Sequence, residues 1–83
     1  MQNYPNPFNP ETNIKFDIPQ SSNVIVKIFD IKGSEITTLI NQKLIAGSYK
    51  TFWNGANYPS GIYFCRITAG DYQKTIKMTL IKY

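Results

Sequence analysis

None of the 83 residues is histidine. Imidazole acid–base catalysis, His-ligated metals and Ser-His or Cys-His nucleophiles are therefore excluded. The carboxylates left for chemistry are Glu11, Asp17, Asp30, Glu35 and Asp71. They are scattered, mostly beside turns, and lack calcium-loop spacing, so solvated charges are favoured over a catalytic pair and no cofactor is implied. Cys65 is the single cysteine and cannot form an internal disulfide. It falls on the inward face of an apolar run, where cysteine behaves as a small hydrophobe and not as a reactive thiol. Nine basic against five acidic residues give a net charge of +4, but the lysines are spread without a cluster. No nucleic-acid partner is indicated, and no apolar run reaches the ~18 residues that a membrane-spanning helix needs. Nothing here forms a nucleophile and base pair, so an enzyme is not expected.

What must be positioned is therefore a surface, and the elements that position it read as strands. With 42% hydrophobic and 14% aromatic residues the chain is a globular domain, although one this short buries only about 60–65% of its unfolded surface. The central run is Ser60 to Ile67, in which Tyr63, Cys65 and Ile67 alternate with Ile62, Phe64 and Arg66. The first set points inward because Arg66 must then point out. Ser48 to Trp53 carries Tyr49, Thr51 and Trp53 on one face, and Trp53 and Tyr63 are expected to meet in one core. Aromatics of this size bury about 150–250 Å² each.

Ile14, Phe16 and Ile18 form one face of a strand over 13–18, and Val24, Val26 and Ile28 one face of a strand over 24–30. Asp30 to Gly33 closes the second as a turn. Residues 34–41 have helix-like spacing at Ile36, Leu39, Ile40 and Leu44, but Ile36, Thr37, Thr38 and Ile40 are β-branched, which predicts a strand. Leu44-Ile45-Ala46-Gly47 is expected to tuck an apolar turn over one end of the core. The last strand spans 72–81, with Ile76, Met78 and Leu80 inward and Lys77 and Thr79 outward. The fold class is all-β, a small antiparallel immunoglobulin-like β-sandwich of about six to seven short strands.

Residues 1–12 form a Pro/Asn-rich entry arm and 13–83 the sandwich. Pro5, Pro7 and Pro10 deny the arm helix or central-strand geometry, Asn9-Pro10-Glu11-Thr12 suits a turn, and Tyr4 and Phe8 are its apolar anchors. With few ladder hydrogen bonds to lose, deleting residues 2–8 of the arm is expected to cost only about 1–2 kcal/mol of stability, from uncovering Tyr4 and Phe8.

Taken in order, Asn3-Tyr4-Pro5-Asn6-Pro7-Phe8-Asn9-Pro10, Phe29-Asp30-Ile31-Lys32-Gly33, Ala46-Gly47, Trp53-Asn54-Gly55, Ser60-Gly61-Ile62-Tyr63 and Lys77-Met78-Thr79-Leu80 resemble the C-terminal sorting domain carried by cargo of the type IX secretion system in Bacteroidetes and related phyla. The resemblance covers nearly the whole chain. It implies a detachable address. An N-terminally fused cargo enters the periplasm, the folded domain is recognised by the outer-membrane translocon, and a sortase-like peptidase commonly removes it as the cargo is secreted or attached to the cell surface. By the same resemblance Pro5, Asn6, Pro7 and Phe8 match the first motif, Gly61 and Tyr63 the Gly-x-Tyr motif, and Lys77 and Lys82 the terminal one; all eight are candidates for translocon recognition. The chain departs from the family in having Ile76 where a second basic residue is common, and in continuing to Tyr83.

Each candidate has a structural alternative. Gly61 and Tyr63 serve entry into the strand and core packing, and Lys77 and Lys82, outward on the last strand, guard an exposed edge. Two other functions compete: a carbohydrate-binding module with Trp53, Tyr58 and Tyr72 as its platform, for which Trp53 must be exposed, and a structural immunoglobulin- or fibronectin-like spacer, which needs no Pro-Asn-Pro-Phe arm.

Overall fold

The computed structural model describes residues 2–82. Within them the chain forms β1 (Gln2–Tyr4), β2 (Glu11–Ile18), β3 (Ser22–Asp30), β4 (Glu35–Leu44), β5 (Gly47–Asn54), β6 (Gly61–Ala69) and β7 (Tyr72–Leu80). Two sheets result, ordered β1-β2-β5 and β4-β3-β6-β7, with every strand pair antiparallel. Compared with a constant-type immunoglobulin sandwich, the fourth strand lies beside the third instead of beside the fifth.

Alternation places the core between the sheets. Ile14, Phe16, Ile18 and Trp53 face inward from the three-stranded sheet, and Val24, Val26, Ile28, Tyr63, Cys65, Ile67, Met78 and Leu80 from the four-stranded one. Trp53 and Tyr63 meet across the sandwich from opposite sheets, with ring centroids 5.2 Å apart.

β4 resolves the ambiguous stretch as a strand. Its register against β3 shifts twice, between Val26 and Lys27 and between Ile28 and Phe29. Each irregularity sets more than one residue against a single partner, so Ile36, Leu39, Ile40 and Leu44 all reach the core despite their helix-like spacing. The apolar turn after β4 is narrower than expected: Leu44 packs on the core, whereas Ile45 is exposed.

Turn chemistry fixes the hairpins. Asp30 Oδ1 accepts from the amides of Lys32 and Ser34, both at 2.9 Å, and Gly33 takes the left-handed conformation between β3 and β4. Gly70-Asp71 is the two-residue turn joining β6 to β7, with Gly70 again left-handed.

The arm departs from expectation. Tyr4 is 74% exposed and anchors nothing, whereas Phe8 is 2% exposed and belongs to the core. The segment before it pairs as the short edge strand β1 on β2. An estimate of about 1–2 kcal/mol for removing the arm is therefore too small, because it leaves out the cavity that Phe8 would vacate.

Two outcomes are expected. Phe8→Ala should cost about 3–5 kcal/mol in urea denaturation, and Tyr4→Ala no more than about 0.5 kcal/mol. Burial pushes the Cys65 thiol from its ordinary 9.0 up to about 12. The folded chain thus keeps a proton that the unfolded chain releases, so this group leaves stability unchanged below pH 9 and lowers it as pH rises toward 12. Urea titrations across that interval should show a steeper loss in wild type than in Cys65→Val.

Candidate functional site

Prolines at 5, 7 and 10 leave the arm with few amide donors, yet it lies along β7, the last strand of its sheet. Asn6 makes up the deficit with its side chain, which carries the donor and acceptor of a peptide group. Its Nδ2 donates to the Lys77 carbonyl at 3.3 Å, and its Oδ1 accepts from the Thr79 amide at 3.0 Å. Ordinary backbone pairing then takes over: Phe8 N–H donates to the Thr79 carbonyl at 3.0 Å, and Ile81 N–H donates to the Phe8 carbonyl at 2.9 Å. The result is a parallel bridge between Phe8 and Leu80. Inside it the Phe8 ring packs on Trp53 with centroids 5.6 Å apart.

The arm is tied to the opposite sheet as well. The buried Thr12 hydroxyl donates to the Pro5 carbonyl at 2.9 Å, and Gly55 N–H donates to the Pro10 carbonyl at 2.8 Å. Close approach favours glycine at 55, since a Cβ there would sit 2.9 Å from Leu80 Cδ2 and 3.4 Å from Trp53 Cη2, and the buried Leu80 side chain would have to shift to admit it.

The linker from 54 to 60 closes the same end. Asn54 Oδ1 accepts from the Ala56 amide, and Tyr58 N–H donates to the Gly55 carbonyl. The Tyr58 ring lies against Trp53 and Tyr63 at 5.6 and 6.4 Å. At the start of β6 the Tyr63 hydroxyl donates back to the Pro59 carbonyl at 2.6 Å, the bond that defines a tyrosine corner in sandwich folds. Tyr49 repeats it on the Ile45 carbonyl at 2.6 Å. Both tyrosines stand two residues after a glycine at φ near +155°, Gly47 and Gly61, which side-chain-bearing residues rarely adopt. Burial pushes the Tyr63 hydroxyl above its ordinary range, with Asp30 and Tyr58 adding to the shift.

Lys82 differs from expectation. It lies beyond the end of β7, not outward on it, and folds back on the linker. Its backbone amide donates to Ser60 Oγ at 2.9 Å, and its ammonium donates to the Ala56 and Tyr58 carbonyls at 2.7 and 3.0 Å. Lys77 is exposed on the outer face of β7, opposite Phe64 of β6. Tyr83, the departure noted at the terminus, lies outside the described residues.

The structure thus brings Pro5, Asn6, Pro7, Phe8, Gly61, Tyr63 and Lys82 to one end of the sandwich, with Lys77 joined to it through its carbonyl. Pro5, Asn6, Pro7, Lys77 and Lys82 are exposed, whereas Phe8 and Tyr63 are buried. Asn54, Gly55 and Ser60 stand within motifs quoted from the sequence but were not among the eight candidates, although the turn-prone Asn54-Gly55 was a signal. Trp53, at 4% exposed, has no ring face to offer a sugar. Tyr72 pairs with Ala69, at the far end of β7 from Leu80, so the proposed platform is not assembled. Among the described residues no group of three or more Cys, Asp or Glu could hold a metal ion.

The model of the secretion system C-terminal sorting domain family matches residues 2–82. The chain belongs to that family. No curated protein and no solved structure matches it. Membership makes the chain a type IX sorting domain, a class that is a signal and not a kind of enzyme, and associates it with a type IX secretion system, an N-terminal cargo and export toward the cell surface or medium.

Two substitutions test how this end of the sorting domain is held. Tyr63→Phe should cost about 1 kcal/mol by urea denaturation, the value of one lost hydrogen bond. Lys82→Met, which keeps the apolar stem, should speed amide exchange at Tyr58 and Lys82 while leaving the centres of β6 and β7 protected.

Proposed function

We propose that this domain is the C-terminal address of a larger cargo protein, which reaches the periplasm first and is then carried across the outer membrane. The translocon recognises the folded domain at the end where arm, linker and chain terminus meet. A sortase-like peptidase then removes the domain as the cargo is secreted or fixed at the surface. The observation that carries this reading is the meeting of the arm, Trp53-Asn54-Gly55, Ser60 to Tyr63 and the end of β7 at that one end, whereas Ala46-Gly47 lies at the other end of the β2–β5 ladder. Within it Pro5, Asn6, Pro7, Lys77 and Lys82 offer the contact surface, and Phe8, Gly61 and Tyr63 hold that surface in shape. A spacer would need no such convergence, and the buried Trp53 disfavours sugar binding.

The test is a fluorescent passenger with a periplasmic signal peptide at its N terminus and residues 2–83 at its C terminus, expressed in a bacterium that has the type IX system. The intact fusion should reach the surface or medium, and one lacking Ile81, Lys82 and Tyr83 should stay in the periplasm. Equal export of both would remove recognition at the terminus, and retention of the intact fusion would favour the spacer.

A further inference from the structure

An edge strand presents unpaired backbone groups to any extended chain that can match them. On β7 the groups that face away from β6 belong to alternate residues. Those of the C-terminal half are filled: the Lys77 carbonyl, both groups of Thr79 and the Ile81 amide all bond to the arm. The occupant has a definite chemistry. An asparagine supplies a side-chain amide as a substitute peptide group, a proline follows, and an aromatic residue then pairs through its backbone and buries its ring against Trp53. Asn6 itself is exposed, so the hydrogen-bonding half of the site is reachable from solvent.

We propose that the outer edge of β7 from Lys77 to Leu80 and the Ile81 amide just beyond it, together with the recess beside Trp53, form a binding site for an extended Asn-x-Phe peptide added in parallel. The chain's own arm fills it in the structure, and a partner segment of the same chemistry fills it when the arm withdraws. Recognition is by β-strand addition with an aromatic anchor. Asparagine is specified because one side chain must donate to the Lys77 carbonyl and accept from the Thr79 amide at once. The aromatic is specified because the recess holds Phe8 at 2% exposure. The arm competes as a tethered ligand, whose effective concentration is in the millimolar range for a short link.

The test uses the full chain in two variants. Asn6→Asp keeps the acceptor for Thr79 and removes the donor to Lys77 from an exposed position, so folding is retained. Phe8→Ala withdraws the anchor. A fluorescent peptide Asn-Tyr-Pro-Asn-Pro-Phe-Asn-Pro, identical to residues 3–10, is titrated against wild type and both variants by polarisation, with amide exchange at Ile81 followed in parallel. Exchange at Ile81, whose acceptor is the Phe8 carbonyl, should be about 10-fold faster in Asn6→Asp than in wild type and should slow again on adding peptide. The variants should bind the peptide at least about 10-fold more tightly than wild type does, because their own arm competes less. Peptides carrying Asn6→Asp or Phe8→Ala should bind at least about 10-fold more weakly than the parent, a loss of about 1.4 kcal/mol. Wild-type exchange at Ile81 in folded Asn6→Asp would overturn the proposal. So would the absence of saturable binding to that variant, or equal binding of the parent and Phe8→Ala peptides. Peptide binding is measured without any export apparatus, so its outcome is independent of the passenger assay.

Discussion

Phe8 ties the two halves of the molecule together. Its ring stands against Trp53 of the three-stranded sheet, while its backbone pairs with β7 of the four-stranded one. The residues before it are paired with β2, and the Pro10 carbonyl behind it holds Gly55. A domain of this length has a small core, in which one aromatic ring is a large fraction of the buried apolar area. The closeness of Gly55 to Leu80, the ordering of Tyr58 and the return of Lys82 onto the linker all adjoin that ring or the strand it pairs with.

Much of the sandwich was legible from alternation alone. β2 and β7 alternate charged or polar side chains with buried apolar ones, so a period of two decides their facing, while in β3 and β6, whose outer faces also carry Ile25, Phe29, Ile62 and Phe64, Lys27 and Arg66 decide it. Where alternation breaks, legibility ends. The bulged β4 mimics helical spacing because each irregularity brings neighbouring residues inward together. In the arm, Tyr4 and Phe8 are both aromatic anchors by type, and what separates them is the Tyr4 hydroxyl and which ring faces Trp53, the second a fact of tertiary structure. Ile45 and Leu44 divide in the same way at the next corner.

The candidate site was legible as a set of residues but not as a set of roles. Lys82 reads as an outward charge on a continuing strand, yet the strand stops at Leu80 and the ammonium finds two carbonyls of the linker. Asn6 reads as a turn residue between prolines, yet its amide stands in for a peptide group. Local propensity cannot reveal either, because the partners lie more than twenty and more than seventy residues away in sequence. The arm and the end of β7 are accordingly joined by long-range contacts that close one end of the sandwich, whereas the Asp30 to Gly33 turn and the Tyr63 hydroxyl bond to Pro59 are local.

The attachment of the arm also fixes how the domain answers to force. A cargo joined upstream of Gln2 pulls on β1 before anything else. β1 is a three-residue edge strand whose pairs with β2 separate one rung at a time, starting at the pulled end. The load then passes to Asn6 and Phe8, which part from β7 in turn, before it reaches the ladder between β2 and β5. Tension from the upstream side is met first at the entry segment, and the step that releases Phe8 takes a ring out of the core that the two sheets share.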